Sequence, residues 1–151
     1  MRIVLGIDGG RLCGWAAYDC TEKKLLSSGV FDLTSDTHGQ LFCKFWMCLE
    51  RLRALKPRFI AYEKPHHRGE AATNIGVGIT TRIEEFCELV KISYCGVHSG
   101  TLKKWATGKG AAKKPEMIES ARKYKPDVAD DNEADAILIA VWGAENTGGW
   151  E

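Results

Sequence analysis

Two kinds of apolar pattern alternate along the chain. One is the short β-branched run, the other a longer stretch with apolar residues every three or four positions. The first run, Ile3-Val4-Leu5-Gly6-Ile7, is too short and too β-branched for a helix and predicts a buried strand. Residues 14–18 and 25–33 predict two more strands. The turn 19–24 between them makes the three an antiparallel meander. Over 40–55, apolar residues fall at Leu41, Phe42, Phe45, Trp46, Leu49 and Leu52, with Lys44, Glu50, Arg51 and Arg53 opposite. That is helical spacing, capped by the loop 35–39 and stopped by Lys56-Pro57. Residues 59–62 predict the fourth strand and 69–73 a polar loop. A second helix is expected over 74–90, its apolar face including Ile75, Ile79, Ile83 and Phe86. Gly76 and Gly78 near its start point to close helix packing. Residues 92–97 predict a fifth strand, reached by a crossover connection.

The rest reads as helical. A short helix is expected over 99–106, then a glycine-rich basic loop over 107–114. Pro115 takes the first helical position of a helix over 116–124. Lys125-Pro126 breaks it, and a last helix is expected over 130–142, acidic at its start as the helix dipole favours. Residues 147–151 read as a frayed tail. There is no internal repeat or low-complexity tract. The alternation predicts an α/β fold, a mixed five-stranded sheet flanked by helices.

Bulk properties narrow the class. A chain of 151 residues favours one domain, 1–151, with room for a core. With 44% apolar and 27% charged residues it is ordinary globular material. No apolar run approaches a membrane span and no leader opens the chain, so a cytoplasmic protein is expected. The six cysteines match no zinc spacing and fit free thiols in a reducing compartment. Net charge is +1 but unevenly spread. Residues 101–125 carry Lys103, Lys104, Lys109, Lys113, Lys114, Arg122, Lys123 and Lys125 against Glu116 and Glu119, whereas 126–151 carry seven acids and no lysine or arginine. Bases beside acids suit a metal-dependent enzyme on a polyanion; two solvated faces that neutralise each other are the plainer reading.

Candidate chemistry lies in carboxylates. Asp8 ends the first strand, and a charge there is costly unless paired or metal-bound. Gly9 and Gly10 let a phosphate or metal approach the backbone. Glu63 repeats the arrangement at the end of the fourth strand. Asp131 and Asp135, four apart, share a helix face and repel without a cation beside them. Asn132 lies three before Asp135 and offers a neutral oxygen. Hard Mg²⁺ or Mn²⁺ wants such oxygens. Two ions about 4 Å apart would activate water and stabilise the leaving oxygen in phosphodiester hydrolysis. Against this, Asp131 as a helix cap and Glu63 in an ion pair would be purely structural. Lys109, Lys113 and Lys114 fit a phosphate-binding loop or solvated lysines. His66 and His67 fit base stacking, proton transfer or a plain polar loop. Arg68 fits a phosphate contact or a counter-charge for Glu63. Trp15 and Trp105 read as packing residues.

The element order, with an aspartate on the first strand and acids on the last helix, resembles the ribonuclease H-like fold. Within it the chain is similar to the RuvC family of Holliday-junction resolvases, phage-type members above all. The matching stretches are Gly6-Ile7-Asp8-Gly9, Tyr62-Glu63, residues 102–114 and residues 133–138. The basic Thr107-Gly108-Lys109-Gly110 loop is the most specific. The resemblance implies a dimeric, Mg²⁺-dependent endonuclease that nicks opposing strands of a four-way DNA junction, in a bacterial or phage-infected cell. It implies Asp8, Glu63 and Asp135 as catalytic carboxylates and Lys103 and Lys114 beside the scissile phosphate. It also implies an aromatic group near His66 or His67 reaching into the junction. The family's fourth acidic position falls here on Asn132, so that either Asp131 shifted by one residue or Asn132 itself completes the set. Rival readings are a nuclease of the same fold acting on other branched DNA or on RNA–DNA hybrids, a transposase core, a sugar-kinase-like phosphate domain, and a non-catalytic module for branched nucleic acid.

Overall fold

The computed structural model describes residues 1–67 and 69–148. Strands β1 (Ile3–Asp8), β2 (Leu12–Asp19) and β3 (Lys24–Asp32) form the expected meander, followed by α1 (His38–Arg53), β4 (Phe59–Glu63), α2 (Glu70–Val90) and β5 (Ser93–Val97). Helices α3 (Ser99–Thr107), α4 (Lys114–Ala121) and α5 (Asp131–Asn146) complete the chain. The sheet order is β3-β2-β1-β4-β5, antiparallel from β3 to β1 and parallel from β1 to β5. This mixed five-stranded sheet with helices on both faces is the ribonuclease H-like fold.

Period-two alternation sorts β1 and β4 onto two cores. Ile3, Leu5, Ile7, Ile60 and Tyr62 face α1 and α2, among Phe45, Leu49, Ile79, Ile83 and Phe86. Val4, Phe59 and Ala61 face α5, among Ala136, Ile137 and Ala140. On that second face, two glycines let the helix and sheet backbones touch. A Cβ at Gly6 would collide with the Ala136 carbonyl and the Ala140 amide, and one at Gly14 with the Asn132 carbonyl. A Cβ at Gly143 would come within 2.8 Å of the Ala61 methyl. Small residues on both sides therefore draw the helix down onto the sheet.

Several element ends depart from the sequence expectations: β2 and α1 each begin two residues early, and α5 runs on to Asn146 rather than stopping at 142. Helix α2 begins at Glu70 rather than 74, because Glu70-Ala71-Ala72 are good helix formers and Gly69, at φ 106°, supplies the break before them. Helix α4 ends at Ala121 rather than 124, its last residues turning tightly: Arg122, Lys123 and Tyr124 donate to carbonyls three residues back. Lys114, not Pro115, takes the first helical position, with Pro115 second. The glycines on α2 do pack closely: a Cβ at Gly78 would run into the Phe42 ring of α1. Trp15 stacks on Phe31, ring centroids 5.6 Å apart, as a packing residue, and Trp105 packs against the α5-side core. All six cysteines are free. Residues 149–151, and so most of the expected tail, lie outside the described residues. Among the described residues, no helix is long and apolar enough to cross a membrane.

Candidate active site

Register brings the strand-end carboxylates together. Val4 pairs with Phe59 and Gly6 with Ala61, so Asp8 and Glu63 stand one step further on the same face of adjacent parallel strands. Ligands of parallel sheets bind beyond such carboxyl ends. The third component comes from α5, whose first turn is seated on β2 at Gly14. A cleft of about 670 Å³ results, lined among others by Asp8, Glu63, Asp131, Asn132 and Asp135.

The acids at the head of α5 divide by role. Asp130 is the N-cap, its carboxylate accepting from the Glu133 amide at 2.9 Å. Glu133 turns away from the cleft, accepting from Ser28 Oγ and Lys125 Nζ, both at 2.7 Å. That anchors α5 to β3 and to the chain after α4. Asp131 is thus released from capping and lies in the cleft, its Oδ2 3.3 Å from Lys114 Nζ. Asn132 lines the cleft beside it. Asp8 is buried, 8% exposed. Burial, with the Glu63 and Asp131 carboxylates beside it, pushes the Asp135 carboxyl up to about 7, against the partial relief of Lys103 and Lys114. Tyr62, neighbour of Glu63, donates its hydroxyl to Glu84 Oε2 at 2.5 Å and ties the end of β4 to α2. Burial, then that bond, raises its pKa.

The cations also sort. Lys103 on α3 and Lys113 and Lys114 at the head of α4 line the cleft. Gly108, at φ 85°, ends α3 in the left-handed region that a side chain resists and leads into the basic loop, whose Ala111, Ala112 and Lys113 line the cleft. Lys109 pairs with Glu116 at 3.6 Å, and the Lys113 amide donates to the same carboxylate at 3.3 Å. Lys104, exposed on α3, and Lys109 stand off the cleft lining. Of the histidine pair, His66 lines the cleft and His67 does not. Arg68 lies outside the described residues. Two cations that sequence reasoning passed over, Arg11 and Lys64, line the cleft as well. Their signal was position: three residues after Asp8 and one after Glu63.

The donor set is chemically that of a hard divalent cation. Its oxygens come from carboxylates and one amide, no cysteine lines the cleft, and the crowding at Asp135 marks an excess of negative potential. Among the described residues, no group of three or more acidic, histidine or cysteine side chains stands close enough together to hold a metal ion as placed. The donors instead sit around an open cleft, where water would complete the shell of a bound ion, as Mg²⁺ commonly retains it.

Comparison with known proteins places this architecture. The chain matches no family model and no curated protein. It is similar in structure to Thermus thermophilus RuvC: TM-score 0.77 at 22% identity, covering 94% of this chain and 93% of that one. It is equally similar to T. thermophilus RuvC in complex with Holliday junction substrate: TM-score 0.79 at 21% identity, covering 95% and 93%. The chain therefore has the RuvC fold.

Proposed function

We propose that this protein is a metal-dependent endodeoxyribonuclease that resolves four-way (Holliday) DNA junctions by paired phosphodiester hydrolysis. One observation carries the reading: Asp8, Glu63, Asp131, Asn132 and Asp135, scattered from residue 8 to residue 135, line one cleft that Lys103, Lys113 and Lys114 rim. The RuvC fold, solved elsewhere with a Holliday junction, supports the choice of substrate. Asp8, Glu63 and Asp135, with Asp131 or Asn132, would hold two Mg²⁺ or Mn²⁺ ions. Bound ions would lower the pKa of water and offset charge on the leaving oxygen. The protein's own part is positioning. Lys103 and Lys113 draw the phosphate backbone into the cleft. Lys114 leaves Asp131 for a phosphate oxygen when substrate enters. His66 stands where it can stack on a base or pass a proton. Two opposed nicks need two clefts, so the working form is a homodimer, one nuclease domain per chain, in the cytoplasm.

The test is cleavage of a labelled synthetic four-way junction with Mg²⁺, beside linear duplex, RNA–DNA hybrid and an Asp8→Asn control. Paired nicks in the junction alone, lost in the variant, are expected. Cutting of flaps or hybrids would keep a nuclease and remove the junction assignment. Tight junction binding without cutting in Mg²⁺ or Mn²⁺ would make it a binding module.

A further inference from the structure

The cations assigned so far all stand on one wall of the cleft, on α3 and at the head of α4. Arg11 and Lys64 stand elsewhere. Arg11 lies in the turn from β1 to β2, its carbonyl accepting from the Leu33 amide at 2.7 Å, which pins the turn to the end of β3. Lys64 follows β4, and its backbone amide donates to the Val97 carbonyl at 2.8 Å. Its stem lies along Gly96 of β5: a Cβ there would come within 2.8 Å of the Lys64 Cγ and 3.1 Å of its Cε. Strand order then sets a row across the end of the sheet. It runs Arg11 on the β2 side, Asp8 on β1, Glu63 on β4 and Lys64 over β5.

Both cations are exposed and both line the cleft. Among the described residues, no carboxylate pairs with either within 4 Å. Lysines that pair structurally in this fold, such as Lys125 with Glu133 at 2.7 Å, have their carboxylate at hand. Fixed backbones and open charges on both sides of a carboxylate pair suit an elongated polyanion crossing the sheet end.

We infer that Arg11 and Lys64 are a phosphate-binding pair that holds the DNA strand on either side of the phosphate to be cut, one taking the phosphate before it and the other the phosphate after. The inference rests on the nuclease reading above and adds the path of the strand. The strand runs along the row of strand ends, from the β2 side to the β5 side, with the α3–α4 lysines gripping it from one wall. Arg11, with a planar fork of donors, takes its phosphate bidentately, and Lys64 meets its own as a point charge.

The test uses the full chain, the Arg11→Gln and Lys64→Gln variants, and a fluorescent four-way junction titrated over a range of salt without divalent metal. Each variant is expected to weaken binding several-fold and to lower the slope of log K against log salt by about 0.9, one phosphate contact each. A junction with one neutral methylphosphonate beside the cut then locates the contact. Neutralising the cognate phosphate should weaken wild-type binding and leave the matching variant unaffected, while the other variant still responds. Both residues are exposed, and matching thermal melts establish that the variants fold. Junction binding by wild-type protein with unchanged affinity and slope in both variants would overturn the inference and leave the nuclease reading standing. Absence of junction binding by the wild-type protein would instead remove the nuclease reading itself.

Discussion

The two faces of the sheet are built on opposite principles. Towards α1 and α2 the contacts are between large side chains: Leu5, Ile7, Ile60, Phe45, Leu49, Ile83 and Phe86. Towards α5 backbones meet at Gly6 and Gly14, in a setting of small residues: Ala16, Ala61, Ala136, Ala140 and Gly143. Large side chains make a core that tolerates a lost methyl, since neighbours can partly relax. Backbone contact has no such slack. It is the second face that sets the distance from Asp8 and Glu63 to Asp131 and Asp135, so precision lies where the charge lies and adaptability lies on the other side.

Breaking the tight face should have the largest effect. Gly14→Val drives a side chain into the Asn132 carbonyl at the head of α5. It should cost about 3 kcal/mol or more in urea unfolding and abolish any metal-dependent cutting with it. Ile60→Val on the loose face should cost about 1 kcal/mol and leave junction cleavage near wild type. Equal losses for the two would refute the contrast.

Asp8→Asn separates site from scaffold on the tight face. Cleavage should disappear while junction affinity, measured by gel shift without divalent metal, stays or rises, since a negative charge is removed from the cleft. Weakened binding would instead assign Asp8 a purely structural role.

A smaller effect should appear with pH. The Asp135 carboxyl titrates at about 7 in the folded protein against 3.8 ordinarily. The folded state therefore holds its proton more tightly than the unfolded one. Below about pH 4 both states are protonated and no penalty arises. Stability should fall as pH rises from about 4 to 7 and level off above. The comparison is between wild-type and Asp135→Asn protein in chelator, by urea melts across that range. The variant should lack this component of the decline, and parallel curves would show that Asp135 is not crowded.

The smallest signal is chemical. Cys43 is exposed on α1, whereas Cys13 and Cys87 lie inside the large-residue core, and burial pushes the Cys87 thiol up to about 12. A thiol reagent should label Cys43 in the native protein and reach Cys13 and Cys87 on unfolding alone. Rapid native labelling of Cys87 would mean that the loose face opens far more readily than its packing suggests.

Much of this was legible in the pattern of residues. Apolar runs marked all five strands, and two of them ended in the carboxylates that register later aligned. What was illegible has physical causes. The acids Asp130, Asp131 and Glu133 are alike in kind and crowded within four positions. Cap, cleft ligand and ion-pair anchor are told apart by where the helix starts, to within a single residue, and no periodicity fixes that. The start of α2 is hard to see in sequence because Glu70 to Thr73 carry no large apolar residue, although they form the helix's first turn, with Ala72 lining the cleft. Arg11 and Lys64 are single cations outside the basic run 101–125, so no charge pattern singles them out. In the fold their side chains pair with no carboxylate among the described residues. The small residues of the α5 face carry no amphipathic signal at all, and their purpose shows when two backbones are seen to touch.

The seating of α5 has a consequence for the order in which the molecule comes together. The meander β1–β3 is local and can form early, but Asp8 meets Asp131 and Asp135 across more than 120 residues, the kind of long-range closure that is slow to form. A ribosome-bound chain whose residues 131–146 are still in the exit tunnel has its strand-end acids and not their partners. The cleft is completed late in assembly, when this helix docks, and until then a half-made chain has an exposed glycine-lined sheet and an incomplete acid centre.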